Sequence, residues 1–360
     1  MFKNLLISLI VLTPCFLQAQ FQNKVLQSEH DLRKESIRPE RFMLSTQAYL
    51  KNNEYFNLIH PGQTFFGLQV DANYIFRTTL NNKLMLTAGV LAQQDFGDDQ
   101  LLSKLLPKLT VHFKHKNIKA QVGAIKSHVN HKMHDAMLNY EQALMHPVEY
   151  GASFNLNKRN LKYHNWIDWR SLANLSSKTQ EEIIFGQLLD YTIQPRAKFL
   201  IRLPFQNTIY HRGGQGIAKP IVTRVNAMAG AQIETAKKEI ALGYRFFVGL
   251  DNSPQIQQPF SQGYAHYSSI NSTIKNHAFH LGYWYAYQYT NTLGNRIFSN
   301  VNLDYVYANQ QARQLVSLRY NFSKNIKNMA LIDFRVEPLY DLHTKKIEHS
   351  AALFLRVFWK

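Results

Sequence analysis

Apolar and polar residues alternate with a period of two along most of the chain beyond its first forty positions. In residues 66–77 one face carries Phe66, Leu68, Val70, Ala72, Tyr74 and Phe76; the other carries Gly67, Gln69, Asp71, Asn73 and Arg77, with Ile75 the exception. In residues 239–250 the apolar set is Ile240, Leu242, Tyr244, Phe246, Val248 and Leu250, opposite Glu239, Gly243, Arg245 and Gly249. Successive strand side chains point to opposite sides, so each stretch reads as a strand with one apolar and one wet face. The pattern returns at 118–125, 150–156, 221–234, 277–289, 297–307, 315–322 and 347–359, and it predicts an all-β chain. No stretch of the mature chain has the ~20 apolar residues that a spanning helix needs.

The connections come in two sizes. Asn81-Asn82, His115-Lys116-Asn117, Lys158-Arg159, Pro195-Arg196, Lys237-Lys238 and Lys275-Asn276 suit tight hairpins, whereas 51–64, 126–147, 171–181, 206–220 and 251–262 are long. Alternating short and long connections fit a membrane barrel with short turns at one rim and long loops at the other. Tyr283, Trp284, Tyr285, Tyr287 and Tyr289 crowd one segment, and Phe354, Phe358 and Trp359 crowd the C-terminus, as interfacial aromatic girdles would. The last alternating stretch ends on Phe358-Trp359-Lys360.

On these features the chain resembles the porin-like outer-membrane β-barrels of Gram-negative bacteria over residues 42–360. The resemblance implies a transmembrane antiparallel up-and-down β-barrel in contact with outer-membrane lipid, with the last strand serving as a signal to the barrel assembly machinery. Seventeen candidate strands can be counted, and a barrel of this class has an even number. The expectation is about sixteen, with fourteen or eighteen as alternatives, at roughly 20 residues per strand and turn. The miscount is placed in 182–193, 251–274 or 324–344.

Residues 1–19 read as a cleavable signal peptide: Lys3 precedes an apolar run that Pro14 interrupts, and Ala19 ends it. Residues 20–41 then form a periplasmic lead-in, and 42–360 the barrel. The single cysteine, Cys15, falls inside the signal, so the exported chain would hold no disulfide and no thiolate chemistry. Of 360 residues, 45% are hydrophobic and 13% aromatic, with a net charge of +17; losing Lys3 lowers the charge by one, to +16. So basic a chain could bind nucleic acid, but export removes that partner.

The polar face then becomes the lumen. Parity puts Arg170, Arg202, Arg224, Arg245, Arg319, Arg335 and Arg356 on it, with Lys108, Lys114, Lys119, Lys162 and Lys198. Its acids would be Asp71, Glu149, Asp168, Glu234, Glu239, Asp304, Asp333, Glu337 and Glu348. A basic lumen attracts anions, so the expected function is a passive channel for anionic or polar solutes. The alternatives are a non-conducting surface or assembly barrel, marked by a closed lumen of paired charges and binding an anionic glycan or a partner protein, and an outer-membrane lipid hydrolase. Met133, Met137, Tyr140 and Leu144 recur at helical spacing before Pro147, which suggests an amphipathic helix folded inward as a constriction.

Other motifs carry less. His128, His131 and His134 share a loop without a visible supporting shell, so no metal and no cofactor is assigned. His266 and Ser268 share one strand face and His349-Ser350 are adjacent, but neither pair has a third catalytic member, and no enzyme is expected from them. Trp166 and Trp169, beside Asp168 and Arg170, suit a sugar patch or, more simply, an interfacial anchor.

Overall fold

The computed structural model describes residues 23, 25–26, 40–77, 83–126, 128–196, 198–214, 216–237, 239–304, 307–327 and 329–359. The expected signal peptide with Cys15 and the Asn81-Asn82 turn lie outside them.

Sixteen strands follow one another: β1 (Glu40–Phe56), β2 (Pro61–Arg77), β3 (Leu84–Asp95), β4 (Lys104–His115), β5 (Ile118–Lys126), β6 (Val148–Asn157), β7 (Leu161–Ser171), β8 (Glu181–Arg196), β9 (Phe199–Gly213), β10 (Val222–Thr235), β11 (Ile240–Asp251), β12 (Gln262–Ile274), β13 (His277–Tyr287), β14 (Ala312–Ile326), β15 (Ala330–Asp341) and β16 (Lys346–Trp359). Every neighbour is antiparallel. The ring closes where β1 meets β16, from Leu44 opposite Trp359 to Glu54 opposite His349. Closure leaves no strand edge unpaired, which is the condition for a sheet to stand in lipid. The protein is an outer-membrane-type β-barrel with a porin-like wall.

Strand β11 shows how parity builds that wall. Ile240, Leu242, Tyr244, Phe246 and Leu250 are exposed on the outside, while Ala241, Arg245 and Phe247 are buried within. Apolar surface of this extent on sixteen strands would aggregate in water and is matched by lipid. The same parity separates the aromatic cluster of β13. Tyr283 faces out, whereas Trp284 is buried in the lumen together with Tyr289 just beyond the strand. Trp166 is likewise buried inside, and Trp169 faces out.

Two expectations need correction. Residues 182–193, 262–274 and 330–341 are all strand; the surplus segment was 297–307, which belongs to a long connection. That connection alternates in sequence yet folds inward at its start, so Ile297, Phe298 and Val301 are buried in the barrel interior while Tyr307 is exposed. The described residues 128–147 contain a 3-10 turn (His128–His131) and a four-residue helix, α1 (Gln142–Met145), and the Met133, Met137, Tyr140 and Leu144 stripe is not one helix. Surrounded by wall, this segment sends side chains in several directions: Met137 joins one core cluster, Tyr140 and Leu144 a second, and Met133 packs between the first and a third.

The first residue of β1 and the last of β16 lie at one rim, the short rim, with the hairpins after β4 and β12; the other, the long-loop rim, carries the connections after β5 and β13 together with the four-residue turns 57–60 and 342–345. At the short rim, Lys116 (φ 49°) and Lys275 (φ 54°) take left-handed backbone conformations at their turns.

Candidate functional site

The lumen is filled by the protein itself. Residues 128–147 and 288–304 both turn inward from the long-loop rim, and they bind each other: the Asn139 backbone amide donates to the Leu293 carbonyl at 2.9 Å and the Asn295 backbone amide to that of Asp135 at 2.6 Å. Ala136, Met137, Tyr289, Ile297 and Phe298 pack with Phe247, Tyr267 and Trp284 of the wall as a core like that of a soluble domain. From the N-terminal segment, Val25 and Leu26 are buried against Tyr49, Tyr140, Leu144 and Phe354, and Arg335 donates to Asn23.

α1 is too short to satisfy its own last carbonyls. The wall does it instead. Gln69 Nε2 donates to the Ala143 carbonyl at 3.3 Å, Gln93 Nε2 to that of Leu144 at 2.9 Å, and Lys104 Nζ to that of Met145.

Charge fixes the rest of the segment. Lys51 Nζ, on β1, lies 2.6 Å from Glu141 Oε1 and donates also to Ser350 Oγ at 3.0 Å and to Asn53 Oδ1. Asn53 Nδ2 reaches the same Glu141 oxygen at 2.9 Å, and Asn139 Nδ2 reaches the other at 2.8 Å. Burial alone would raise the Glu141 pKa, but the Lys51 ammonium and these donors overcome it and hold the carboxyl at about 2. Arg319 of β14 pairs with Asp135, and its Nε lies 3.5 Å from Glu337, which accepts from Tyr140 Oη at 3.1 Å. His131 Nε2 lies 2.7 Å from Glu149 of β6 and its Nδ1 2.6 Å from His164 of β7, while its ring stacks on Trp166 at 3.7 Å. That stack is possible because Gly186 stands opposite Trp166, where a Cβ would collide with the indole.

The arginines named from sequence lie on the inner face, most of them among acids, whereas Lys114, Lys119 and Lys162 are exposed near the short rim and Lys198 stands in the turn after β8. Arg170 pairs with Asp168 at 3.2 Å, Arg202 with Asp190, Arg224 with Asp251 at 3.1 Å and Arg335 with Asp333 at 2.5 Å. Arg356 donates to Ser45 Oγ at 3.3 Å. Arg245 differs: buried, it donates to Gln232 and Ser269 and has no ion pair among the described residues. Lys51, Arg313, Asp190, Asp251 and Asp341 also face inward and were not named from sequence. Asp304 is a correction, since it sits exposed on the 288–311 connection beside Arg296.

Other candidates are dispersed. His134 turns away from His131 towards Phe247 and Tyr267, and no metal-binding group forms among the described residues. His266 and Ser268 face outward; His266 hydrogen-bonds Tyr244 Oη at 2.6 Å. Ser350 is buried inside, opposite in facing to the exposed His349.

His60 carries no motif that points to it. It lies in the turn after β1, is 8% exposed, and neither ring nitrogen has a hydrogen-bond partner. Burial chiefly, with the cations Arg296, Lys51 and Arg313 nearby, lowers its pKa to about 4 against the pull of Glu141, so it is neutral at pH 7.

Set against known proteins, the profile of the lipid A 3′-O-deacylase-type family matches residues 33–360. The chain belongs to that family. The match spans all sixteen strands and both inward segments. No curated protein matches the chain in sequence. Among solved structures, this family member shares its fold with OpdL of Pseudomonas aeruginosa (TM-score 0.54, 10% identity, 89% of this chain and 98% of that chain). It shares it also with OprD of the same organism (0.53, 9%, 89% and 95%) and with a loop-deletion mutant of the outer-membrane protein OmpT of Vibrio cholerae (0.53, 11%, 89% and 99%). At such identities the likeness is one of architecture.

Proposed function

We propose that the protein is an outer-membrane hydrolase that removes an ester-linked acyl chain from a lipid A-type glycolipid, working at the long-loop rim. The observation that carries this reading is the family match over the whole barrel. A filled lumen supports it, because passive diffusion needs an open path and hydrolysis does not. His60 is the candidate base: a neutral imidazole with free ring nitrogens, next to the rim residues Phe56 and Leu58 that reach outward. In the step assigned to it, a ring nitrogen takes a proton from water, whose oxygen adds to the ester carbonyl carbon. The acyl C–O bond then breaks and the proton passes to the departing alkoxide, giving a fatty acid and an alcohol. Mass spectrometry of lipid A from cells with and without the protein tests it. Loss of one acyl chain is expected, and unchanged lipid A overturns it.

A second reading, an anion-preferring solute channel, draws support from the inward arginines and from Arg245, whose charge meets no carboxylate directly. Planar-bilayer reversal potentials under a salt gradient test it. Anion preference is expected, and cation preference or no conductance overturns it.

A further inference from the structure

We infer that the inner wall around Lys51 is a binding site for an oxyanion, a carboxylate or phosphate group, and that Glu141 of the inward segment occupies it as a built-in surrogate.

The wall half of the site belongs to the barrel. Lys51 and Asn53 project from one face of β1, and Ser350 from the adjoining β16, where Asn53 and Ser350 are cross-strand partners. Lys51 is fully buried, and its one ion pair among the described residues is with Glu141. With the inward segment in place over it, an ammonium buried in this way without a counter-ion would be strongly unfavourable, so the position demands an anion. Glu141 meets it as a ligand would. One carboxylate oxygen takes Lys51 Nζ at 2.6 Å and Asn53 Nδ2 at 2.9 Å, and the other is held by Asn139 of its own segment.

The Arg319 contact makes the contrast. Arg319 also binds an acid of the inward segment, Asp135, but retains Glu337 of the wall as a second partner. If residues 128–147 withdraw, Arg319 keeps Glu337 at 3.5 Å, whereas Lys51 keeps no carboxylate at ion-pair distance among the described residues. The loss of Glu141 therefore creates an anion demand at Lys51 in particular. Beside it, the buried His60 has two unpartnered nitrogens.

The test titrates inorganic phosphate, and separately acetate, into the detergent-purified full-length mature protein by calorimetry. Glu141→Gln removes the surrogate's charge and retains its shape; it should bind one of the two anions at least tenfold more tightly than wild type. The gain should vanish in Glu141→Gln combined with Lys51→Met. Equal weak binding by wild type and Glu141→Gln, both shown folded by heat-modifiable gel mobility, overturns the site, as does tight binding that survives Lys51→Met. Should Glu141→Gln fail to fold, wild type serves. At constant ionic strength, phosphate or acetate replacing chloride should speed proteolytic cleavage within 127–147 by displacing Glu141. Identical cleavage in all three salts overturns the proposal.

Discussion

Lys51 and Glu141, ninety positions apart in the chain, meet at 2.6 Å with side chains 0% and 2% exposed. Such a pair is expensive to half-remove. Lys51→Met or Glu141→Leu alone leaves a buried charge and should destabilise the packed state by about 3–5 kcal/mol, whereas the double replacement should recover most of the loss. Urea unfolding in detergent, run as a double-mutant cycle, checks this.

Gly186 is the wall position on which Trp166 lies. Gly186→Ala should push the indole out of its stack with His131 and cost about 1–3 kcal/mol by overpacking. Near-UV circular dichroism should lose tryptophan signal, with the strand signal in the far UV retained.

Acid should loosen the interior from the histidine side first. His60 titrates at about 4 when packed against 6.5 when free, so between those values only the opened form takes the proton and stability falls as pH falls. The effect levels off below pH 4 and amounts to at most about 3 kcal/mol. His134, buried among aromatics, is pushed in the same direction. Glu141, held at about 2, contributes stability that is complete above its free value of 4.5 and is lost as pH falls through 2. Proteolysis at 127–147 should therefore accelerate from pH 6.5 to 4, and His60→Gln should blunt the change.

If the hydrolase reading holds, His60→Gln should abolish deacylation, with a loss of about 100-fold or more expected for a general base. Ser268→Ala should leave it unchanged, because Ser268 faces lipid on the middle of β12. Lipid A mass spectra of the two variants separate these outcomes.

Much of the barrel was legible in sequence because its physics is local. Parity alone separates the outward Ile240, Leu242 and Tyr244 from the inward Arg245, and the longest connections mark one rim, although that rim also carries the tight turns 57–60 and 342–345. The interior was less legible. Inward segments can carry a period without forming the matching element, so 297–307 imitated a strand and Met133 to Leu144 imitated a helix. Pairings such as Lys51 with Glu141 or Arg319 with Asp135 join residues that no spacing relates. Lys51 itself was missed because 51–64 read as a long loop, whereas β1 runs to Phe56 and β2 begins at Pro61. His60 carries no motif; burial without a partner is what marks it.

The packed lumen also has a mechanical consequence. A sheet ring around water can ovalise under lateral membrane pressure, its wall bending while the water redistributes. Here Phe247, Tyr267 and Trp284 press on Ile297 and Phe298, and a close-packed protein interior is barely compressible. The cross-section is braced from inside, and the hydrogen-bond register between strands is shielded from shear.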